Sequence, residues 1–118
     1  MQTVNLTTDV RKINDGISVI DFEGEINGFA EDMLMDAYMQ ASNGNTEVII
    51  LNFEKLEYLN SSGIGLLVTI LIRAQRKKQR LLACGLNEHY HEIFTLTRLD
   101  EAIGIYDQES EAIAANSM

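Results

Sequence analysis

The 118-residue chain contains no proline, no tryptophan and a single cysteine, Cys84. Without proline, Gly, Asn, Asp and Ser must punctuate the helices and strands. One cysteine forms no internal disulfide. A free thiol inside the apolar run 81–86 reads as a small buried hydrophobe in a reducing compartment, and a cytoplasmic location is expected. Long apolar runs are also missing. The longest nearly unbroken one, residues 64–72, falls far short of the roughly 20 residues a membrane helix needs. Residues 1–10 have neither the basic start nor the apolar block of a secretory signal. Basic residues are scarce, 9 Lys and Arg against 18 Asp and Glu, for a net charge of −9. That balance argues against nucleic acid and against anionic lipid as partners, because both need a basic face.

What is present is enough for one ordinary domain, residues 1–118, with about two-thirds of its unfolded surface buried. No repeat, linker or low-complexity segment divides it. Residues 4–13 read as a first strand, Asn14-Asp15-Gly16 as a hairpin turn, and 17–22 as a second strand closed by Gly24-Glu25-Ile26-Asn27. Apolar spacing predicts a helix over 29–41, ended by a turn in which Gly44 takes a left-handed cap position. Met33 is assigned to the core, and Met35 and Met39 to partial exposure. The continuous apolar runs 48–51 and 81–84 read as strands buried on both faces. The 29 residues between them hold a crossover helix over 64–77, so the two strands pair in parallel. A helix over 88–96, a short edge strand over 102–106 and a last helix over 108–115, capped by Asp107, follow.

Five of the nine basic residues, Arg73, Arg76, Lys77, Lys78 and Arg80, fall within eight positions. They either complement the dipole of a helix C-terminus or form a docking patch for an acidic partner.

The densest stretch is L-N-S-S-G-I-G-L-L, residues 59–67. Ser61 and Ser62 sit where a loop becomes a helix. Asn60, Ser61 and Ser62 are all N-cap types, and a side-chain oxygen there can accept from the free N–H groups of the first turn. Gly63 and Gly65 each cost helix stability, roughly 1 kcal/mol against Ala. They make sense where another backbone or a partner comes close to that turn. An exposed hydroxyl at a helix N-terminus can also take a phosphoryl group, whose charge suits the positive end of the dipole. A hydrolase nucleophile is rejected, because there is no G-x-S-x-G elbow and neither histidine follows a convincing Asp in triad order.

The remaining candidates are weaker. His89 and His91, between Glu88 and Glu92, are two apart and do not share a helix face, so no metal is expected there. Glu54 and Glu57 read as a solvated loop rather than a catalytic pair. Gly63 and Gly65 do not make a phosphate-cradling loop, lacking the third Gly and the Lys, and no cofactor is expected.

Taken together, F-E-G-E-I-N at 22–27, V-I-I-L-N-F at 48–53 with L-E-Y-L after it, S-S-G-I-G-L-L at 61–67, L-L-A-C-G-L at 81–86, F-T-L-T-R-L at 94–99 and D-E-A-I at 100–103 carry a resemblance over essentially the whole chain. The sequence resembles the STAS domain family, most closely the anti-sigma-factor antagonists of bacterial partner-switching systems. The resemblance implies an α/β, STAS-like sandwich: a mixed, mostly parallel sheet of about four to five strands covered by about four helices. It implies no catalytic activity, and binding to a GHKL-type anti-sigma factor that is also a serine kinase. The kinase phosphorylates the first Ser of a D-S-S/T-G motif and a PP2C-type phosphatase reverses it. By motif position that serine is Ser61, with Ser62 the alternative. The expected partner-binding residues are Glu25, Asn27, Asn60, Ser62, Gly63 and Ile64, from the turn and the 25–29 loop. Asn60 stands where the family has Asp; if the Asp helps activate the hydroxyl, Asn60 slows the transfer. Weak homodimerisation stays open, as do an accessory role in a transporter and a subunit role in a large sensory scaffold.

Overall fold

The computed structural model describes residues 4–116, so the first three residues of the 1–10 stretch lie outside it. Five strands form one sheet in the order β1 (Leu6–Lys12), β2 (Ile17–Ile26), β3 (Val48–Leu59), β4 (Arg80–Cys84) and β5 (Gly104–Tyr106). The first pair is antiparallel and the other three pairs are parallel. Four α-helices join and cover the strands: α1 (Glu31–Ala41), α2 (Ser61–Arg76), α3 (Glu88–Leu96) and α4 (Glu109–Asn116). This is the mixed sheet and helix set expected from the sequence. Among the described residues no helix is long and apolar enough to cross a membrane.

Alternation along the strands splits the core in two. Ile20, Phe22, Ile49, Leu51, Phe53, Leu81 and Ala83 face α1, α2 and α3. Ile17, Val19, Val48, Ile50, Leu82 and Cys84 face α4, through Ala112 and Ile113. The apolar runs 48–51 and 81–84 are continuous because both of their faces are covered. Cys84 is buried, and burial pushes its thiol up to about 12, which suits an inert core residue. Charge also fastens α4. Arg11 makes a two-pronged pair with Asp21 (2.6 and 2.9 Å) and reaches Glu109 with its other nitrogens. The guanidinium, with help from Asn52, holds the Asp21 carboxyl below its usual range.

Three boundaries differ from the sequence reading, each for a tertiary reason. Strand β2 continues to Ile26 and β3 to Leu59, because they keep pairing with each other past two register shifts, at Asp21/Glu23 and Gly24/Glu25. Glu54 and Glu57 therefore lie on β3, not in a loop, although both stay exposed. A single 3₁₀ turn, Gly28–Ala30, precedes α1, which starts at Glu31 rather than at residue 29. The last helix starts at Glu109. The hydrogen bond that closes its first turn is donated by the Gln108 N–H to Glu111 Oε1 (3.0 Å), so Glu111 does what was expected of Asp107. Gly44 does hold a left-handed conformation, with φ 75°, in the turn that ends α1. Of the methionines on α1, Met33 and Met35 are half-buried and Met39 is exposed.

Candidate functional site

Helix α2 begins at Ser61, three residues earlier than its apolar run suggests, because Asn60 caps it. The extended Asn60 turns its Oδ1 back to accept from the Gly63 N–H at 2.8 Å, and its carbonyl accepts from the Ile64 N–H at 2.9 Å. Of the three cap candidates, Asn60 is the one used. Ser61 and Ser62 become the first two residues of the helix, both exposed. Among the described residues neither hydroxyl makes a hydrogen bond, so both are available to a partner.

The turn rests on three supports. The Asn60 N–H donates to the Ile26 carbonyl at the end of β2 (3.3 Å). The preceding residue, Leu59, donates its buried N–H to the Tyr90 hydroxyl on α3 (3.0 Å). Gly63 lies against β2 so closely that a Cβ there would stand 2.4 Å from the Ile26 carbonyl oxygen and 2.8 Å from Leu59 Cδ1. Gly63 is therefore an internal spacer, buried and out of a partner's reach. Gly65 is its opposite: a Cβ there would meet nothing within 4 Å. Of the two readings of these glycines, close backbone approach applies to Gly63 and open surface to Gly65.

The end of β2 comes to the same place. A Cβ on Gly28 would touch the Ser62 Cβ at 3.4 Å. Asn27 caps the 3₁₀ turn, accepting from the Phe29 N–H at 2.9 Å, and this leaves Phe29 59 % exposed beside the serines. Glu25 is half-buried on β2, opposite Tyr58, which is 50 % exposed. The structure thus gathers Glu25, Asn27, Asn60, Ser61, Ser62 and the half-buried Ile64 around one turn. Sequence reasoning missed Tyr90, Gly28 and Phe29. Tyr90 carried a signal, a tyrosine on the apolar stripe of a helix, whose hydroxyl needs a partner when buried.

Charge sets this turn apart. The first turns of α1, α3 and α4 all carry acidic residues: Glu31 and Asp32, Glu88, and Glu109 and Glu111. The first turn of α2 carries none, and its cap is a neutral amide. The positive end of the dipole of this 16-residue helix is left without an anion of its own. His89 and His91 are exposed on α3, and no group of three or more potential metal ligands comes together among the described residues.

The family model of the STAS domain matches residues 10–112, and the chain belongs to that family. It is similar to an anti-sigma F factor antagonist of Paenibacillus polymyxa, at 26% identity over 101 residues that cover 83% of this chain and 85% of the other. The fold matches that of the anti-sigma factor antagonist SpoIIAA in its unphosphorylated form with a TM-score of 0.73, at 22% identity over 92% of this chain and 96% of that one. It matches phosphorylated SpoIIAA of Bacillus at 0.72, with 23% identity over 92% and 98% of the two chains. A sulfate transporter family protein from Wolinella succinogenes shares the fold as well, with a TM-score of 0.76 and 17% identity over 89% and 88%.

Proposed function

We propose that this protein is a non-enzymatic cytoplasmic regulator, an anti-sigma-factor antagonist that switches partners under control of Ser61 phosphorylation. Its partner is a GHKL-type anti-sigma factor and serine kinase. The observation that carries the reading is the start of α2: an exposed, unbonded serine hydroxyl on the one α-helix whose first turn holds no acid. The Ser61 Oγ attacks the γ-phosphorus of kinase-bound ATP. The new O–P bond forms as the bond to ADP breaks, and the hydroxyl proton passes to a base of the kinase. The phosphoserine carries about −1.5 to −2 charges against the free N–H groups of the first turn, so the domain tolerates it. The kinase does not, because the charge enters a contact that must be dry. A PP2C-type phosphatase restores the hydroxyl by hydrolysis. Glu25, Asn27, Asn60, Ser62 and Ile64, with the exposed Phe29, frame the contact.

The relationship to an anti-sigma F factor antagonist supports this reading over an accessory role in a transporter or a scaffold. Incubation with the cognate kinase and ATP, followed by intact-mass measurement, tests it. Wild type should gain about 80 Da, one phosphoryl group, and Ser61→Ala should gain nothing. Labelling lost only in Ser62→Ala moves the site by one residue. No labelling with any genomically adjacent kinase sinks the switch and brings the accessory role forward.

A further inference from the structure

Helix α2 has an open face that the serine turn does not exhaust. Ser61, Gly65, Thr69, Ile72 and Arg76 follow one another at three- and four-residue steps, so they share one side of the helix. None of them is buried. Along that side lie a gap at Gly65, where nothing comes within 4 Å of an added Cβ, and a branched apolar knob at Ile72, 43 % exposed.

The face is charged oppositely at its two ends. Arg73 and Arg76 close the helix, and Lys78 and Arg80 follow it, all exposed. The ion pairs among the described residues are Arg11 with Asp21 and with Glu109, and Arg98 with Glu101, so these four cations have no acidic partner. Lys78 even occupies the left-handed position (φ 59°) of the motif that ends α2, where the Gln79 N–H reaches the Ala74 carbonyl and the Lys78 N–H reaches that of Gln75. Glycine would sit there without strain. At the other end, Glu25 leads into the loop beside Ser62, and Glu31 and Asp32 open α1 one turn later.

We propose that this face binds a second copy of the chain, with α2 packed antiparallel on α2 about a two-fold axis between Val68 and Thr69. That axis sets Ile72 of one copy over Gly65 of the other, and Arg76 of one beside Ser61 and the acidic end of the other. Within one chain the pair is out of reach, because 16 residues of helix span about 24 Å. A face carrying a gap, a knob and both charges in opposite order complements itself, as a two-fold contact requires. The charge match alone makes the dimer weak and salt-sensitive. One consequence rests on the kinase reading: phosphorylation of Ser61 adds an anion opposite Arg76 and tightens the dimer, which then hides the phosphoserine from the kinase.

Sedimentation of the unphosphorylated full chain at low salt should show a mass that rises with concentration toward twice the 13.2 kDa of one chain and falls back on adding salt. Thr69→Cys, oxidised with copper phenanthroline, should give a disulfide-linked dimer; Ala115→Cys, exposed on α4 across the sheet, should not. Arg76→Glu should abolish both signals and the double variant Arg76→Glu with Ser61→Arg should restore them. A chain that stays monomeric with no linkage at position 69, or that links equally at 69 and 115, overturns the proposal, with circular dichroism confirming that each variant is folded. Phosphorylated chain should half-associate at a concentration at least about tenfold lower. Phosphorylation without tightening refutes that consequence alone. Linkage at 69 in a chain that no kinase labels refutes the kinase reading alone.

Discussion

Helices α2 and α3 leave the sheet in the same way. Each follows a parallel strand, and each is capped by an asparagine whose Oδ1 accepts from the N–H three residues on, Asn60 from Gly63 at 2.8 Å and Asn87 from Tyr90 at 2.9 Å. The next positions then diverge. After Asn87 comes Glu88, an acid that compensates the helix dipole; after Asn60 comes Ser61, which leaves the dipole bare. The third helical position diverges too. In α3 it is Tyr90, which reaches across to hold the Leu59 N–H; in α2 it is Gly63, which lets the Ile26 carbonyl come close. One cap thus serves two purposes. The α3 turn is finished internally and acts as a brace, and the α2 turn is braced from outside and keeps its hydroxyls for a partner.

The sharpest way to break that contrast is Gly63→Ala set against Gly65→Ala. The first drives a methyl into the Ile26 carbonyl and should cost up to about 3 kcal/mol. The second points into open space and should stabilise the helix by roughly 1 kcal/mol. Urea midpoints of opposite sign bear out the assignment of spacer and surface; a tolerated Gly63→Ala removes it.

Next in size is Tyr90→Phe. It keeps the ring in the core and strands the buried Leu59 N–H, for a loss of about 1–3 kcal/mol. If α3 braces the serine turn, amide exchange at residues 59–63 should quicken more than on α4. Uniform quickening would mean that Tyr90 only fills space.

The caps themselves come third. Asn60→Ala and Asn87→Ala should each cost about 1 kcal/mol, since each removes one side-chain acceptor from a first turn. Thermal melts giving equal losses support the shared cap, and a cost confined to Asn87 would mean the α2 cap is dispensable. Phosphorylation kinetics should separate the two, slowing only for Asn60→Ala.

The smallest change is Asn60→Asp. A carboxylate keeps one oxygen for the Gly63 N–H and offers its second to the Ser61 hydroxyl, where the amide has an NH₂ group instead. Stability should rise by about 0.3–1 kcal/mol and phosphoryl transfer should quicken. A rate that is unchanged would show that the neutral cap is no brake.

Much of this was legible in the residues. The order of strands and helices followed from the apolar runs, and the serine turn from its cap residues and glycines. Where boundaries moved, they moved through pairing with distant residues. The length of β3 depends on β2 running beside it as far as Leu59, and two register shifts in that pairing have no local pattern. The start of α2 depends on which of three adjacent polar side chains folds back, and local sequence ranks Asn and Ser alike as caps.

By itself the sequence determined the family, the element order and the serines' place at a strand-to-helix junction, because periodicity and turn chemistry act over a few neighbouring residues. The tertiary structure alone decided that Gly63 is buried and Gly65 open, that Tyr90 props Leu59, and that four cations near the end of α2 go unpaired. Each of these depends on what a distant part of the chain brings within a few ångströms, and no local rule of spacing carries that information.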